Sequence, residues 1–155
     1  MLSERRVTAS IALATEEDMP WIFEIEQEAF SPPWTHGSIL SEIYNADSFF
    51  AVARESDVVL GFVILRRLVD VGELLQIAVR EDVRRSGVAD LLLDAALGFV
   101  RENGLASVSL EVRKSNDAAI SLYVKHGFKP TRQRKDYYAE PLEDAVEMAR
   151  GSIWN

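Results

Sequence analysis

The sequence predicts a mixed α/β protein in which a central sheet of about seven strands carries about four helices, distributed over both faces. Two observations predict this class. Segments in which apolar and polar residues alternate, typical of strands, are interspersed with segments whose apolar residues recur every three to four positions, typical of helices. In addition, residues 74–112 form a strand–helix–strand unit, which should cross over in the right-handed sense of parallel strands. The expected order is β-α-α-β-β-β-α-β-α-β-β, in a single domain covering residues 1–155.

The N-terminal part is expected to contribute one strand and two helices. Ser10 to Leu13 is interpreted as a short first strand, and a capping-box pattern at Thr15 predicts the start of the first helix. The segment Ser31-Pro32-Pro33-Trp34 ends this helix, because proline disrupts a helix interior. Thr35 can cap the second helix.

The middle of the chain predicts three strands followed by a long helix. The strands are expected over Phe49–Ala53, Val58–Leu65 and Glu73–Val79. Gly104 should end the long helix, since glycine adopts the left-handed conformation of a helix C-cap. One stripe of this helix is expected to face the core: Val88, Leu91, Leu92, Ala95 and Phe99.

The C-terminal part predicts a strand, a helix and a closing pair of strands. Ser107 to Val112 alternates strictly, which places Glu111 on the face opposite the apolar residues. Ser115 or Asn116 can cap a last helix, and Gly127 ends it. The closing antiparallel pair is expected over Phe128–Tyr138 and Glu143–Ala149.

Composition restricts the function classes. The net charge is -8 and the pI about 4.8, so direct nucleic-acid binding is not expected, whereas a cationic partner would be attracted. The chain contains no cysteine, which excludes disulfides and thiolate chemistry, and its two histidines, His36 and His126, are too far apart to suggest a metal pair. Met1 to Ser10 lacks the apolar core of a signal peptide, and no apolar run is long enough for a bilayer. We therefore expect a cytoplasmic protein that binds neither membrane nor metal.

A candidate phosphate-binding segment connects the third of the three middle strands to the long helix. It reads Arg84-Arg85-Ser86-Gly87-Val88-Ala89, and its glycine lets a ligand approach the backbone closely. The free N–H groups and the dipole of a helix N-terminus favour an anion. This segment predicts a cradle for the pyrophosphate of a nucleotide-like cofactor.

Two side chains near this cradle are candidates for proton transfer. Ligands of such sheets bind outside the carboxyl ends of parallel strands, where Glu111 lies near the end of its strand. Tyr123 lies two turns into the following helix, and a phenol can donate a proton while remaining neutral at pH 7. Together they suggest an acid–base pair beside a bound cofactor.

Taken together, these motifs resemble those of a known family, the GNAT acyl-CoA N-acyltransferases. Within this family the chain is most similar to the bacterial ribosomal-protein-alanine N-acetyltransferases. The resemblance extends from about Ser10 to Ala149. It is carried by Ile77-Ala78-Val79, Arg84 to Ala89, Leu110 to Asn116, Ala119 to Phe128, Arg134 to Tyr138, Glu143 to Ala145, and the Pro33-Trp34 loop.

The resemblance implies a binding site for acetyl-CoA. Backbone groups of Ile77, Ala78 and Val79 would hold the acetyl-pantetheine arm, with the Val79 N–H polarising the thioester carbonyl. The pyrophosphate would be bound by backbone N–H groups of the loop, whose residues are Arg84, Arg85, Ser86, Gly87, Val88 and Ala89. Asn116 would bind the cofactor arm.

The resemblance also implies catalytic and substrate-binding residues. Glu111 would be the general base, acting directly or through water, and Tyr123 the general acid for the departing thiolate. Tyr137 and Tyr138 would shape a peptide groove, with the Trp34 loop opposite. Direct attack of an amine on the thioester needs no enzyme nucleophile, which agrees with the lack of cysteine.

The expected acceptor is the N-terminal alanine of a small-subunit ribosomal protein, a basic partner that an acidic surface would attract. The alternatives are a lysine side chain or a small amine as acceptor, or an acyl-CoA-binding module without activity. The loop departs from the usual family pattern at Ala89, which replaces a glycine, and at Asp90, whose carboxylate we expect to face solvent.

Overall fold

A single seven-stranded sheet forms the centre of the computed structural model, which describes residues 7–151. Residues 1–6 and 152–155 lie outside the described range, so the expectations for Met1–Ser10 and for the domain bounds fall partly there. The strands are β1 (Ser10–Leu13), β2 (Ser48–Glu55), β3 (Val58–Leu68), β4 (Val71–Val79), β5 (Ser107–Arg113), β6 (Lys129–Ala139) and β7 (Leu142–Gly151). The helices are α1 (Met19–Ala29), α2 (His36–Tyr44), α3 (Val88–Glu102) and α4 (Asp117–Lys125). This confirms the predicted mixed α/β class and element order.

The strand order in the sheet is β1-β2-β3-β4-β5-β7-β6. All neighbours are antiparallel except β4 and β5, which are parallel and connected through α3. The last strand of the chain, β7, therefore lies between β5 and β6. This insertion places β6 at the edge and gives β5 an antiparallel partner along its whole length, from Ser107 to Arg113.

Helices cover both faces of the sheet, each over its own apolar cluster. On one face α3 and α4 pack on a cluster that includes Leu92, Leu93 and Tyr123. On the other face α1 and α2 pack on a cluster that includes Ile22 and Ile39.

Three of the predicted helix caps form with the expected geometry, whereas Thr15 caps a short 3₁₀ turn, Glu16–Asp18, and α1 begins only at Met19. Thr35 Oγ1 accepts a hydrogen bond from the Ser38 N–H at 3.1 Å, and Asn116 Oδ1 accepts one from the Ala119 N–H at 3.1 Å. Gly104 adopts a φ of 65°, in the left-handed region. Because these caps fix the helix ends, they also fix where the adjoining loops leave the sheet.

The core-facing stripe predicted for α3 is confirmed only in part: Val88 and Leu92 are buried and Phe99 packs against the core, but the stripe is shifted at Leu91. The buried residues are Val88, Leu92, Leu93, Ala96, Leu97 and Val100. Leu91, which was expected in the core, is 41% exposed. The consecutive leucines Leu91, Leu92 and Leu93 fit two overlapping stripes, and packing against the sheet selects the second one.

The parallel pair β4–β5 opens into a wedge towards its carboxyl end. Within residues 7–151 the two strands pair only at Gly72 with Val108 and at Glu73 with Ser109. A register irregularity in the β3–β4 pairing, at Leu75, begins just beyond these pairs. Backbone groups on the β5 side of β4, from there to Val79, are therefore left for a ligand rather than for a strand partner.

No helix within residues 7–151 is long and apolar enough to cross a membrane.

Candidate active site

The phosphate loop lies directly at the open end of this wedge. Arg85 and Gly87 adopt left-handed backbone conformations, with φ of 66° and 91°, and Gly87 is the N-cap of α3. Within the described residues no side chain caps the first turn of α3, so its N–H groups remain for an anion. Ser86 Oγ donates a hydrogen bond to the Val83 carbonyl and steadies the loop from behind. The residues present fit a pyrophosphate.

The arginines that are close in sequence separate in space. Arg84 stays with the loop, where its Nε donates a hydrogen bond to the Val79 carbonyl at 3.4 Å. Arg80 turns to the α1 side, where it pairs with Asp82 at 2.8 Å and lies 6.0 Å from the Trp21 ring centroid. Arg80 therefore belongs to a groove beside α1 and not to the predicted cradle.

Asp90 does not simply face solvent, as the sequence had suggested. Its carboxylate accepts a hydrogen bond from Lys125 Nζ at 2.9 Å and lies 2.8 Å from His126 Nε2, both at the end of α4. Partial burial raises the pKa of Asp90, but the hydrogen bonds and charges of Lys125 and His126 outweigh it and leave the pKa below its usual range. The negative charge next to the cradle is thus compensated from α4.

Glu111 and two of the predicted tyrosines, Tyr137 and Tyr138, come together on one face of the sheet, which we call the cleft face. Tyr137 hydrogen-bonds Glu111, and this bond, with partial burial and nearby negative charge, raises the pKa of Tyr137 to about 12. The Tyr137 and Tyr138 rings pack edge to face, with centroids 5.0 Å apart. Burial and the Glu111 charge also raise the pKa of Tyr138. A carboxylate lined by two protonated phenols can accept a proton from an incoming amine.

Tyr123 lies in the helical layer formed by α3 and α4, on the other face of the sheet. It is only 6% exposed and packs on Phe128, with ring centroids 5.8 Å apart. Burial, with a smaller contribution from Tyr138, raises the pKa of Tyr123 well above its usual value. The phenol therefore keeps its proton at neutral pH and is available as a proton donor.

Arg113, which follows Glu111 on the same face of β5, ties together the two loops around the cleft. Its guanidinium donates to the Ser31 carbonyl at 2.9 Å, in the loop that contains Trp34. It also donates to the Glu140 carbonyl at 3.0 Å in the β6–β7 turn, and lies 4.3 Å from the Tyr138 ring centroid. The Trp34 loop and the tyrosine strand are thereby held on either side of the same strand end.

A buried carboxylate, Glu26, anchors the Trp34 loop from below. Its Oε2 accepts hydrogen bonds from the Trp34 N–H at 2.8 Å and from Gln76 Nε2 at 2.9 Å. Burial raises the pKa of Glu26 despite these two bonds. Glu26 thus connects α1 and the loop to β4, next to the predicted thioester strand at Ile77.

The structure brings Glu111, Tyr137 and Tyr138 together, places Tyr123 in the helical layer of α3 and α4, and puts the predicted phosphate loop after the end of β4. Sequence reasoning missed Arg113 and Glu26 as organising residues. The signal for Arg113 was its spacing of two from Glu111, which places both on one face of β5. The signal for Glu26 was a carboxylate four residues after buried Ile22 on the apolar stripe of α1.

Fold and site together define a class, since a phosphate cradle beside a splayed parallel strand pair and an acid–base cluster suits an acyl-CoA-dependent transferase. The acetyltransferase (GNAT) family matches residues 19–128, and the chain belongs to this family. It is therefore an N-acetyltransferase, and enzymes of this family use acetyl-CoA.

Two of the three similar proteins described next are named for a narrower activity. The chain is 35% identical over 142 residues to a [ribosomal protein bS18]-alanine N-acetyltransferase of Haemophilus ducreyi, covering 90% of this chain and 97% of the relative. The crystal structure of the ribosomal-protein-S18-alanine N-acetyltransferase from Escherichia coli superposes with a TM-score of 0.85 at 30% identity, covering 96% of each chain. That of Ard1 from Thermoplasma volcanium superposes with a TM-score of 0.89 at 32% identity, covering 96% of this chain and 100% of the other.

Proposed function

We propose that this enzyme transfers an acetyl group from acetyl-CoA to the α-amine of a protein N-terminus, that of an alanine in ribosomal protein bS18 or a similar basic protein. One observation carries the proposal. Glu111 lies on the cleft face of the sheet, lined by tyrosine hydroxyls, at the strand end that opens beside the phosphate loop. The activity of the relatives supports the same acceptor. The reaction would take place in the cytoplasm, within one catalytic domain.

Acetyl-CoA would bind in the wedge. Its pyrophosphate would contact the free N–H groups of the loop from Arg84 to Ala89 and the first turn of α3. Its arm would follow the unpaired side of β4 at Ile77, Ala78 and Val79, with Asn116 on the far side. Bound there, acetyl-CoA supplies the activated acetyl thioester.

Glu111 and Tyr123 would supply the proton transfers. An α-amine has a pKa of roughly 7.7–8.0, so much of it arrives protonated and its lone pair has to be freed. Glu111 would take up that proton, directly or through water, and the Val79 N–H would polarise the thioester carbonyl. The freed amine would attack the carbonyl carbon and displace the thiolate, to which Tyr123, protonated through burial, would donate a proton. Tyr137, Tyr138 and the Trp34 loop would border the peptide.

The test of the base is Glu111→Gln, with Glu102→Gln as a control on an exposed helix position. We expect kcat for an alanine-starting basic peptide to fall about 10²–10⁴-fold in the Glu111 variant, because general-base assistance is lost. Acetyl-CoA affinity, measured by calorimetry, should stay unchanged in both variants. Full activity of Glu111→Gln would remove this residue from the mechanism.

The test of the acceptor is competition among amines, read by mass spectrometry. The wild-type enzyme is offered alanine-starting peptides, N-terminally blocked peptides with a free lysine, and polyamines. Preference for the alanine-starting peptides is expected, since a lysine amine, with a pKa near 10.4, demands a stronger base. Faster acetylation of lysine or free amines would contradict the proposed acceptor. Tight acetyl-CoA binding without any transfer would indicate an acyl-CoA-binding module instead of an enzyme.

A further inference from the structure

Two carboxylates face each other directly across the cleft face of the sheet. Glu111 on β5 is the register partner of Glu147 on β7. Directly opposed residues of an antiparallel pair lie on the same face, with Cβ atoms about 4.5–5.5 Å apart, and like charges there repel. Unless a cation intervenes, such a pair lowers its energy when one of the two carboxylates takes up a proton.

Arg134 on β6 supplies that cation. Its Nε lies 3.6 Å from Glu111 Oε1, and its Nη2 lies 3.4 Å from Glu147 Oε2. The Nε is buried and has no hydrogen-bond partner within residues 7–151, so its ion pair with Glu111 is the contact it makes there. A single guanidinium thus bridges both members of the like-charged pair.

The other charged groups around Glu111 are already engaged differently. Arg132 lies 3.3 Å from Glu147 but makes no ion pair with Glu111 in the described part of the chain. Arg113, further along β5, is bound to loop carbonyls and to Glu143, 3.2 Å away. Two further titratable neighbours in the described part of the chain are Tyr137, which hydrogen-bonds Glu111, and Tyr138, whose pKa the Glu111 charge raises.

We infer that Arg134 is a positioning residue for catalysis: its guanidinium stabilises the ionised forms of Glu111 and Glu147 side by side, so that Glu111 stays free of a proton at lower pH than it would without Arg134. The inference rests on the proposed function, in which Glu111 accepts the amine's proton. Without Arg134, the repulsion would be relieved by protonation of a carboxylate, and a protonated Glu111 cannot accept a second proton.

The first test follows the Glu111 carboxyl itself, by ¹³C NMR titration, with its resonance assigned from its loss in Glu111→Gln. In Arg134→Gln the titration midpoint should move up by about one pH unit or more, the usual effect of an opposite charge at this distance. Arg132→Gln is the matched control, because it removes a cation from Glu147 alone and should leave the midpoint near its wild-type position. Arg134→Lys keeps the charge and should restore much of the wild-type titration.

A double variant separates charge from structure. Arg134→Gln/Glu147→Gln lacks both the cation and the repelling partner, so the Glu111 midpoint should return towards wild type. In parallel, kcat/KM for the alanine-starting peptide should fall in Arg134→Gln more at low pH than at high pH, whereas a merely structural loss would be uniform.

Three outcomes would overturn the inference: an unmoved midpoint in Arg134→Gln, equal shifts in Arg134→Gln and Arg132→Gln, or a double variant that stays shifted. Failure of the proposed function is a separate result. It would appear as full activity of Glu111→Gln, whatever the titration shows.

Discussion

At the scale of single residues, the site depends on how its neighbours set the protonation of each group. Glu111 is hydrogen-bonded to Tyr137 and ion-paired with Arg134, whereas Tyr123 lies in an apolar layer across the wedge. The two groups of the predicted acid–base pair therefore lie in different environments, the carboxylate among polar partners and the phenol among apolar ones. Such a division of environments is how enzymes assign base and acid roles to nearby groups.

The acid role can be tested with Tyr123→Phe. Because burial, helped by Tyr138, raises the pKa of Tyr123, the phenol should remain protonated across the working pH range, so wild-type kcat should show no loss from its ionisation below about pH 10. Removing the hydroxyl should lower kcat by about 10²–10⁴-fold while acetyl-CoA affinity is retained. Single-turnover kinetics would measure the chemical step directly.

The matched control for this variant is Tyr44→Phe, since Tyr44 is 66% exposed on α2. It should leave the rate unchanged. A Tyr123→Phe enzyme with wild-type single-turnover rates would show that this tyrosine only packs on Phe128, and another donor would then have to protonate the thiolate.

The candidate site could be predicted from sequence only where a residue's role depends on its own segment. The loop at Gly87 and the face of Glu111 follow from local pattern, because a helix start and a strand alternation are local properties. The bridge from Arg134 to Glu111 depends on β7 lying between β5 and β6, which no local pattern reports. The compensation of Asp90 by α4 was missed for the same reason.

At the scale of elements, the end of β4 is held in place by close contact with β3. Gly61 pairs with Val79, and a Cβ added at Gly61 would lie 2.6 Å from the Ala78 carbonyl oxygen, which is backbone and cannot move aside easily. The two strands approach so closely here that only glycine fits. This contact therefore defines the position of the predicted thioester strand.

Gly61→Ala should accordingly displace the end of β4. We expect a loss of about 1–3 kcal/mol in the free energy of unfolding, measured in urea, and a several-fold weaker acetyl-CoA affinity. Gly72→Ala is the control on the same strand pair, because its Cβ would meet nothing closer than 3.4 Å. A destabilised Gly61→Ala protein that binds acetyl-CoA as tightly as wild type would argue against the β4 end as the arm's binding site.

At this scale the order of the elements was predicted correctly, whereas the bounds of several strands and the buried face of α3 were predicted less well. Strands β2, β3 and β4 all extend beyond the predicted bounds, because pairing with neighbours lengthens a strand past its own apolar run. The α3 stripe was partly misplaced since three consecutive leucines satisfy two helical faces equally, and only the sheet below decides between them. In both cases long-range packing decides the property, strand length or buried helix face, that the sequence of the segment alone leaves open.

At the scale of the whole molecule, the net charge of -8 should act on the encounter with the substrate. An acidic enzyme and a basic N-terminal segment attract each other over distances limited by the Debye length, which shortens from about 30 Å at 0.01 M salt to about 8 Å at 0.15 M. Steering of this kind changes association rates by about 10–10³-fold. It acts on kcat/KM, which includes the encounter, more than on kcat.

We therefore expect kcat/KM for an alanine-starting peptide rich in arginine and lysine to fall steadily as salt rises over this range, while kcat changes little. The control is a peptide of the same length with its basic residues replaced by glutamine, for which the salt dependence should largely vanish. Equal salt dependence for both peptides would mean that the acidic surface does not steer the substrate. In that case, recognition of the basic protein would rest on short-range contacts in the cleft, around Tyr137, Tyr138 and the Trp34 loop, rather than on the charge of the molecule as a whole.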